Sequence, residues 1–144
     1  VEGGGVPYEA FARFHPVMAE ESAASVVALL DTRILPLVPG LEQRLERGLD
    51  VLDVGCGSGR ALLHLARRFP ASRFLGLDLE EAPLAEARAR AARDGLANVR
   101  FERRDAAELR DEARFDLVLT FDAVHDQARP DLVVAALRRA LRPG

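Results

Sequence analysis

Glycines alternate at positions 55, 57 and 59, directly after the apolar run Val51-Leu52-Asp53-Val54 and directly before a helical pattern led by Arg60. Without Cβ atoms such a loop lets a ligand reach the backbone, and glycine accepts the positive φ that a tight turn demands. Asp78 ends the next apolar run, Phe74-Leu75-Gly76-Leu77, at the distance at which a βαβ nucleotide site places its ribose-binding carboxylate. A glycine loop followed by an acid at this spacing is the chemistry of a cofactor built on a nucleoside. The dinucleotide fingerprint wants glycine at position 60, where this chain has Arg, so a nicotinamide-dependent oxidoreductase is the weakest of the candidate readings.

Further along, Thr120-Phe121-Asp122-Ala123-Val124-His125-Asp126 carries an imidazole at the end of the fourth apolar run, where an acceptor would approach. The His125 imidazole is the candidate catalytic group, able to take a proton from an acceptor hydroxyl or amine. Asp122 and Asp126 are two carboxylates without wider support, too few for a divalent cation, and no metal is expected. His15 and His64 read as incidental, the latter on the helix after the glycine loop.

These groups need elements to hold them. The pattern predicts a strand over 50–54, a helix over 60–69, a strand over 73–78 and a helix over 82–94 stopped by Asp94-Gly95. Strands follow at Asn98–Arg103 and Phe115–Phe121, then a helix from Pro130 to Leu141. Strand alternating with helix gives an α/β fold, a Rossmann-like doubly wound parallel sheet with helices on both faces and its ligands beyond the carboxyl ends of the strands. Before Leu49 the pattern is helical. A glycine-rich tether precedes runs at helical spacing, Tyr8-Phe11-Phe14-Met18 and Glu20–Leu30, with Pro16 near a break. A proline-punctuated connector, Leu35–Gly40, leads into a short helix, Leu41–Arg47, closed by Gly48. Two regions are therefore expected: a helical segment over 1–48, serving as core packing or as a lid that selects substrate, and a cofactor-binding α/β domain over 49–144.

Bulk composition narrows the partners. At 144 residues the chain is one domain long, and a net charge of −3 with a pI near 5.7 disfavours nucleic acid or an anionic membrane as its main partner. All 20 cationic residues are Arg, and Cys56 is the single cysteine, so no internal disulfide forms and a cytoplasmic setting is the default expectation. The chain opens on Val1 and closes on the turn signal Arg142-Pro143-Gly144, from which the coding sequence is expected to continue.

Val51-Leu52-Asp53-Val54-Gly55-Cys56-Gly57-Ser58-Gly59 resembles the first motif of class I S-adenosylmethionine-dependent methyltransferases. The resemblance extends in order through Asp78, through Arg104-Asp105-Ala106-Ala107-Glu108, through Phe115-Asp116-Leu117-Val118 and through Leu137–Gly144, covering about residues 49–144. It implies S-adenosyl-L-methionine as cofactor, with the product S-adenosyl-L-homocysteine. It also implies cofactor-binding roles for Asp53, Gly55, Cys56, Gly57, Gly59, Asp78, Leu79, Asp105, Ala106 and Phe121. Asp78 would take the ribose hydroxyls, Asp105 the exocyclic amine of adenine, and the backbone of Ala106 would lie beside the ring. No Asn-Pro-Pro-aromatic motif or Pro-Cys pair is present, so methylation of nucleic-acid bases is disfavoured and a small-molecule acceptor is expected. The family's later strands would be missing, which leaves the fourth strand as an open edge and a homodimer as one way of covering it. The competing class is a cofactor-binding regulatory module without turnover.

Overall fold

The computed structural model describes residues 23–125 and 127–143. Four strands, β1 (Asp50–Val54), β2 (Arg73–Asp78), β3 (Val99–Arg103) and β4 (Leu117–Leu119), form one parallel sheet in the order β3-β2-β1-β4. Helices α1 (Leu41–Arg47), α2 (Arg60–Arg68), α3 (Glu81–Arg93) and α4 (Pro130–Ala140) accompany them. Parallel neighbours need crossovers, and α2 and α3 supply those between β1, β2 and β3. The strand order runs outward from β1 to β3 and then returns to β4 on the other side of β1. A crevice for a ligand therefore lies above the carboxyl ends of β1 and β4.

Strand alternation divides the core in two. Val51, Phe74, Val99 and Phe101 face α1, α2 and α3, together with Leu30 and Leu35 from the segment before α1. Leu52, Val54, Leu75 and Leu77 face the opposite way, against Val133, Ala136, Leu137 and Ala140, which recur at helical spacing along α4. A sheet covered on both faces explains why β1 and β2 read as near-continuous apolar runs.

Two of the expected strands, β1 and β2, have the expected extent, β3 begins one residue later than expected, at Val99, and the fourth is shorter. The sequence predicts a strand over Phe115–Phe121, but β1 offers only Val51, Leu52 and Asp53 as partners for Leu117, Val118 and Leu119. Phe115 instead bridges to Leu141, and the Arg142 N–H donates to the Phe115 carbonyl at 2.8 Å. The chain after α4 thus begins to run alongside the approach to β4. The expected regular helix over Glu20–Leu30 is also revised. Ala23–Val27 and Leu30–Ile34 are wide π-type turns followed by a 3₁₀ turn at Leu35–Leu37, and the Ile34 N–H donates to the Leu29 carbonyl five residues back at 3.1 Å. β-branched Val26, Val27, Thr32 and Ile34 crowd an α-helix, and Pro36 removes a donor that would continue one. Tyr8, Phe11, Phe14, His15, Pro16, Met18 and Asp126 lie outside the described residues.

At the amino end of the strands, the Asp50 N–H donates to Asp116 Oδ2 at 2.8 Å, and Arg73 Nε donates to Asp50 Oδ1 at 2.6 Å. Arg142 reaches both carboxylates, at 2.6 Å to Asp116 and 3.0 Å to Asp50. The Arg73 hydrogen bond, acting against burial and supported by Arg142, holds the Asp50 carboxyl below its ordinary value of 3.8. A depressed carboxylate contributes stability that is complete above its unfolded pKa and disappears as pH falls through the folded one. Urea denaturation of Asp50→Asn should therefore give a flatter stability profile than the wild type below the unfolded value of 3.8; parallel profiles would remove Asp50 from the acid response.

Candidate functional site

β1 carries the chain straight into the glycine loop, and β2 holds that loop in place. Leu77 O accepts from the Gly55 and Cys56 N–H groups at 2.8 and 3.1 Å, and the Gly59 N–H donates to Cys56 O at 2.9 Å. Asp78, at the end of β2, accepts from the Gly57 N–H through Oδ2 at 2.8 Å and from the Glu80 N–H through Oδ1 at 3.0 Å. The acid picked out by spacing is therefore physically joined to the loop it was paired with. A Cβ placed on Gly57 would meet nothing within 4 Å, so one face of the loop backbone is open.

Beneath the loop, Asp53 points toward the α2 side by strand alternation and sits opposite Gly76 of β2. It is 2 % exposed, and its Oδ1 has no hydrogen-bond partner. Burial, with the neighbouring Asp78 charge adding to it, pushes its carboxyl up to about 8. Cys56 fills the space that the missing side chain of Gly76 leaves: a Cβ there would lie 2.7 Å from Cys56 Sγ and 2.7 Å from Phe101 Cδ1. Burial first, then the charges of Asp53 and Asp78, push the Cys56 thiol far above its ordinary value, so it is a packed thiol and no nucleophile.

The neighbouring strand ends complete the rim. After β3, Asp105 caps the 3₁₀ turn Ala106–Glu108 by accepting from the Ala107 N–H at 2.8 Å, and Ala106 is buried. Leu79 is 40 % exposed beside Asp78. After β4, Phe121 packs on the α2-side core, and Asp122 adopts a left-handed φ of +55°. That turn lays Ala123 against Gly55 so closely that a Cβ on the glycine would overlap the Ala123 methyl. His125 Nδ1 lies 3.5 Å from Asp122 Oδ1, and both side chains are exposed. The structure thus gathers Asp53, Gly55, Cys56, Gly57, Gly59 and Asp78 into one unit. Leu79, Asp105, Ala106, Phe121 and His125 sit at the ends of the flanking strands. Among the described residues no group of three His, Cys, Asp or Glu side chains could hold a metal ion, and no helix is long and apolar enough to cross a membrane.

Sequence reasoning missed two contacts. Ala123 is a small residue in a loop with no motif of its own, and only the fold brings it to Gly55. His64, read as incidental, has Nε2 3.0 Å from Asp31 Oδ2 and so ties α2 to the turn before α1. Gly76 did leave a signal, since a glycine inside a buried strand marks a close approach by another group.

A family model described as a methyltransferase domain matches residues 51–144. A trans-aconitate 2-methyltransferase of Deinococcus radiodurans is 40% identical over 94 residues, 65% of this chain and 34% of the relative. A ubiquinone biosynthesis O-methyltransferase of Acinetobacter baylyi is 33% identical over 99 residues, covering 67% of this chain and 41% of the relative. This chain therefore spans between a third and about two fifths of the length of these curated relatives. Among solved structures, PKMT2 from Rickettsia typhi in complex with AdoHcy superposes with a TM-score of 0.64 at 26% identity, covering 69% of this chain and 19% of that one.

Proposed function

This chain belongs to the methyltransferase-domain family, and we propose that it transfers a methyl group from S-adenosylmethionine to a small organic acceptor. The observation that carries the reading is the hydrogen bond from the Gly57 N–H to Asp78, which fixes an open stretch of glycine backbone beside a carboxylate at the end of β2. The residues present suit such a cofactor. Gly57 leaves the backbone accessible, and Asp53 keeps a buried oxygen without a donor. The complex of a structural neighbour with AdoHcy supports the same ligand.

Asp78 would receive the ribose hydroxyls, Asp105 and the backbone of Ala106 the adenine, and Gly55, Cys56, Gly57 and Gly59 the amino-acid tail above Asp53, with Leu79 and Phe121 flanking them. S-Adenosylmethionine, when bound, supplies a methyl group activated on a sulfonium. The chain's own contribution is alignment and the exclusion of water, effects worth roughly 7–11 kcal/mol when two reactants are held in line. His125, with Asp122 beside it, would take the proton of the acceptor at the rim. The relatives' names favour a small organic acceptor with an oxygen nucleophile.

S-Adenosylhomocysteine is expected to raise the melting temperature of the protein, with a gain of about 2.7 kcal/mol at a hundredfold excess over Kd. Asp78→Ala should abolish the shift. No shift in the wild type would overturn the cofactor assignment. A shift with no methyl transfer to carboxylate or phenol acceptors would assign the chain to a regulatory binding module instead.

A further inference from the structure

Between α2 and α3 lies a cleft of about 400 Å³ lined by Arg60, Arg67, Arg90 and Arg93. Arg60 and Arg67 are two turns apart on one stripe of α2, and Arg90 and Arg93 are one turn apart on α3, so two helices present guanidinium groups to one space. Val27 and Leu63 supply an apolar part of the lining. His64, held by Asp31, also borders it.

The charge in this cleft is not balanced. Among the described residues, Asp94 serves both Arg67 and Arg93, Glu86 serves Arg90 and Asp31 holds His64 at the border, so the four arginines meet three carboxylates. Arg60 makes no ion pair among the described residues, and its Nε is buried without a hydrogen-bond partner. It also stands at the first position of α2, the positive end of the helix dipole, where a cation is disfavoured and where no side chain caps the helix. A buried, unpartnered donor at such a position is costly, and an anion would satisfy both the donor and the charge.

We propose that this cleft binds a phosphorylated small molecule, with Arg60 and Arg90 gripping its phosphate group. Guanidinium forks match phosphate oxygens in pairs. The excess of guanidinium groups over carboxylates among the described residues suits a phosphate monoester, which carries about −1.5 to −2 at neutral pH. The cleft's volume falls within the range of about 300–1,000 Å³ typical of small-molecule sites. Arg60 directly follows Gly59 of the glycine loop, while the rest of the lining lies farther along α2, on α3 and at Val27; occupancy of the cleft does not depend on the methyl-transfer reading.

Calorimetric titration of the protein with glycerol 3-phosphate and with inorganic phosphate, at matched ionic strength, tests it. Glycerol 3-phosphate should bind saturably at one site and more tightly than inorganic phosphate. The double variant Arg60→Gln/Arg90→Gln should weaken it at least about tenfold, while Arg114→Gln, whose arginine pairs with Asp111 elsewhere, leaves it unchanged. Saturating S-adenosylhomocysteine should not displace it. Absence of saturable binding up to about 10 mM, equal binding by the double variant, or displacement by S-adenosylhomocysteine would each overturn the proposal. Wild-type NMR needs no variant: the Arg60 and Arg90 Nε–H signals should move most on titration, and their standing still would also overturn it.

Discussion

Gly59→Ala should destabilise the protein by about 3 kcal/mol or more, lowering the melting temperature by about 10 °C, because two costs fall on one methyl group. The backbone at Gly59 has a φ of +69°, which an alanine adopts only under strain. The added Cβ would also lie 2.6 Å from Phe101 Cζ and 3.0 Å from Ala87 Cβ. Phe101 and Ala87 are 6 % and 0 % exposed, so neither can retreat without disturbing the packing of α3 on the sheet. Gly57→Ala is the internal control. Its φ of +52° is strained as well, but its Cβ would meet nothing, so the stability loss should be near 1 kcal/mol while binding of S-adenosylhomocysteine falls steeply. Thermal denaturation of the two variants side by side separates a glycine needed for packing from one needed for access. Equal losses would show that the Phe101 contact is relieved by movement.

Asp53→Asn should stabilise the protein in a manner that depends on pH. With the folded carboxyl raised to about 8, the folded state holds a proton that the unfolded state, near 3.8, has already released. Stability is therefore complete below the unfolded value and is lost as pH rises through the interval up to the folded one. A proton held by one state alone changes stability by about 1.36 kcal/mol per pH unit, so the loss between about pH 5 and 8 is on the order of 4 kcal/mol. The asparagine of the variant cannot ionise and should lack this slope. Chemical denaturation of the ligand-free protein between about pH 5 and 8 should show the variant and wild type converging at the acid end and separating toward the alkaline end, by about one proton's worth of slope. A constant difference across the interval would mean that Asp53 does not titrate there.

The loop and sheet were legible because local rules state them. Asp94-Gly95 stops α3, Gly48 closes α1, and apolar runs bounded by polar residues delimit β1 and β2, so the extent of each element follows from neighbours in sequence. The pairing of Asp53 and Asp78 with the glycines was legible as spacing, but spacing could not reveal that Asp78 bonds to the Gly57 N–H or that Asp53 loses its solvent altogether. Those facts depend on which strands become neighbours. The error at β4 has the same origin. Phe115 and Phe121 belong to one apolar run, yet β1 provides a partner for only its middle, and the two ends are drawn to Leu141 and toward the turn against Gly55. The segment before α1 failed for a local reason, since its β-branched residues sit at helical spacing without favouring a regular helix.

The cluster of Asp50, Asp116 and Arg142 has a consequence for how the chain reaches this state. Arg142 and Asp50 are 92 positions apart, and closing a ring of that length restricts the chain before any contact in it is made, although the penalty grows only with the logarithm of the length. Local strand-helix-strand units, such as β1 with α2 and β2, bring together partners far nearer in sequence. They can form first, and the closure at Arg142 then joins the last helix and the approach to β4 to the oldest part of the fold. By the cost of closing so long a ring, the cluster is expected to fasten late in folding, when it ties α4 to the start of β1.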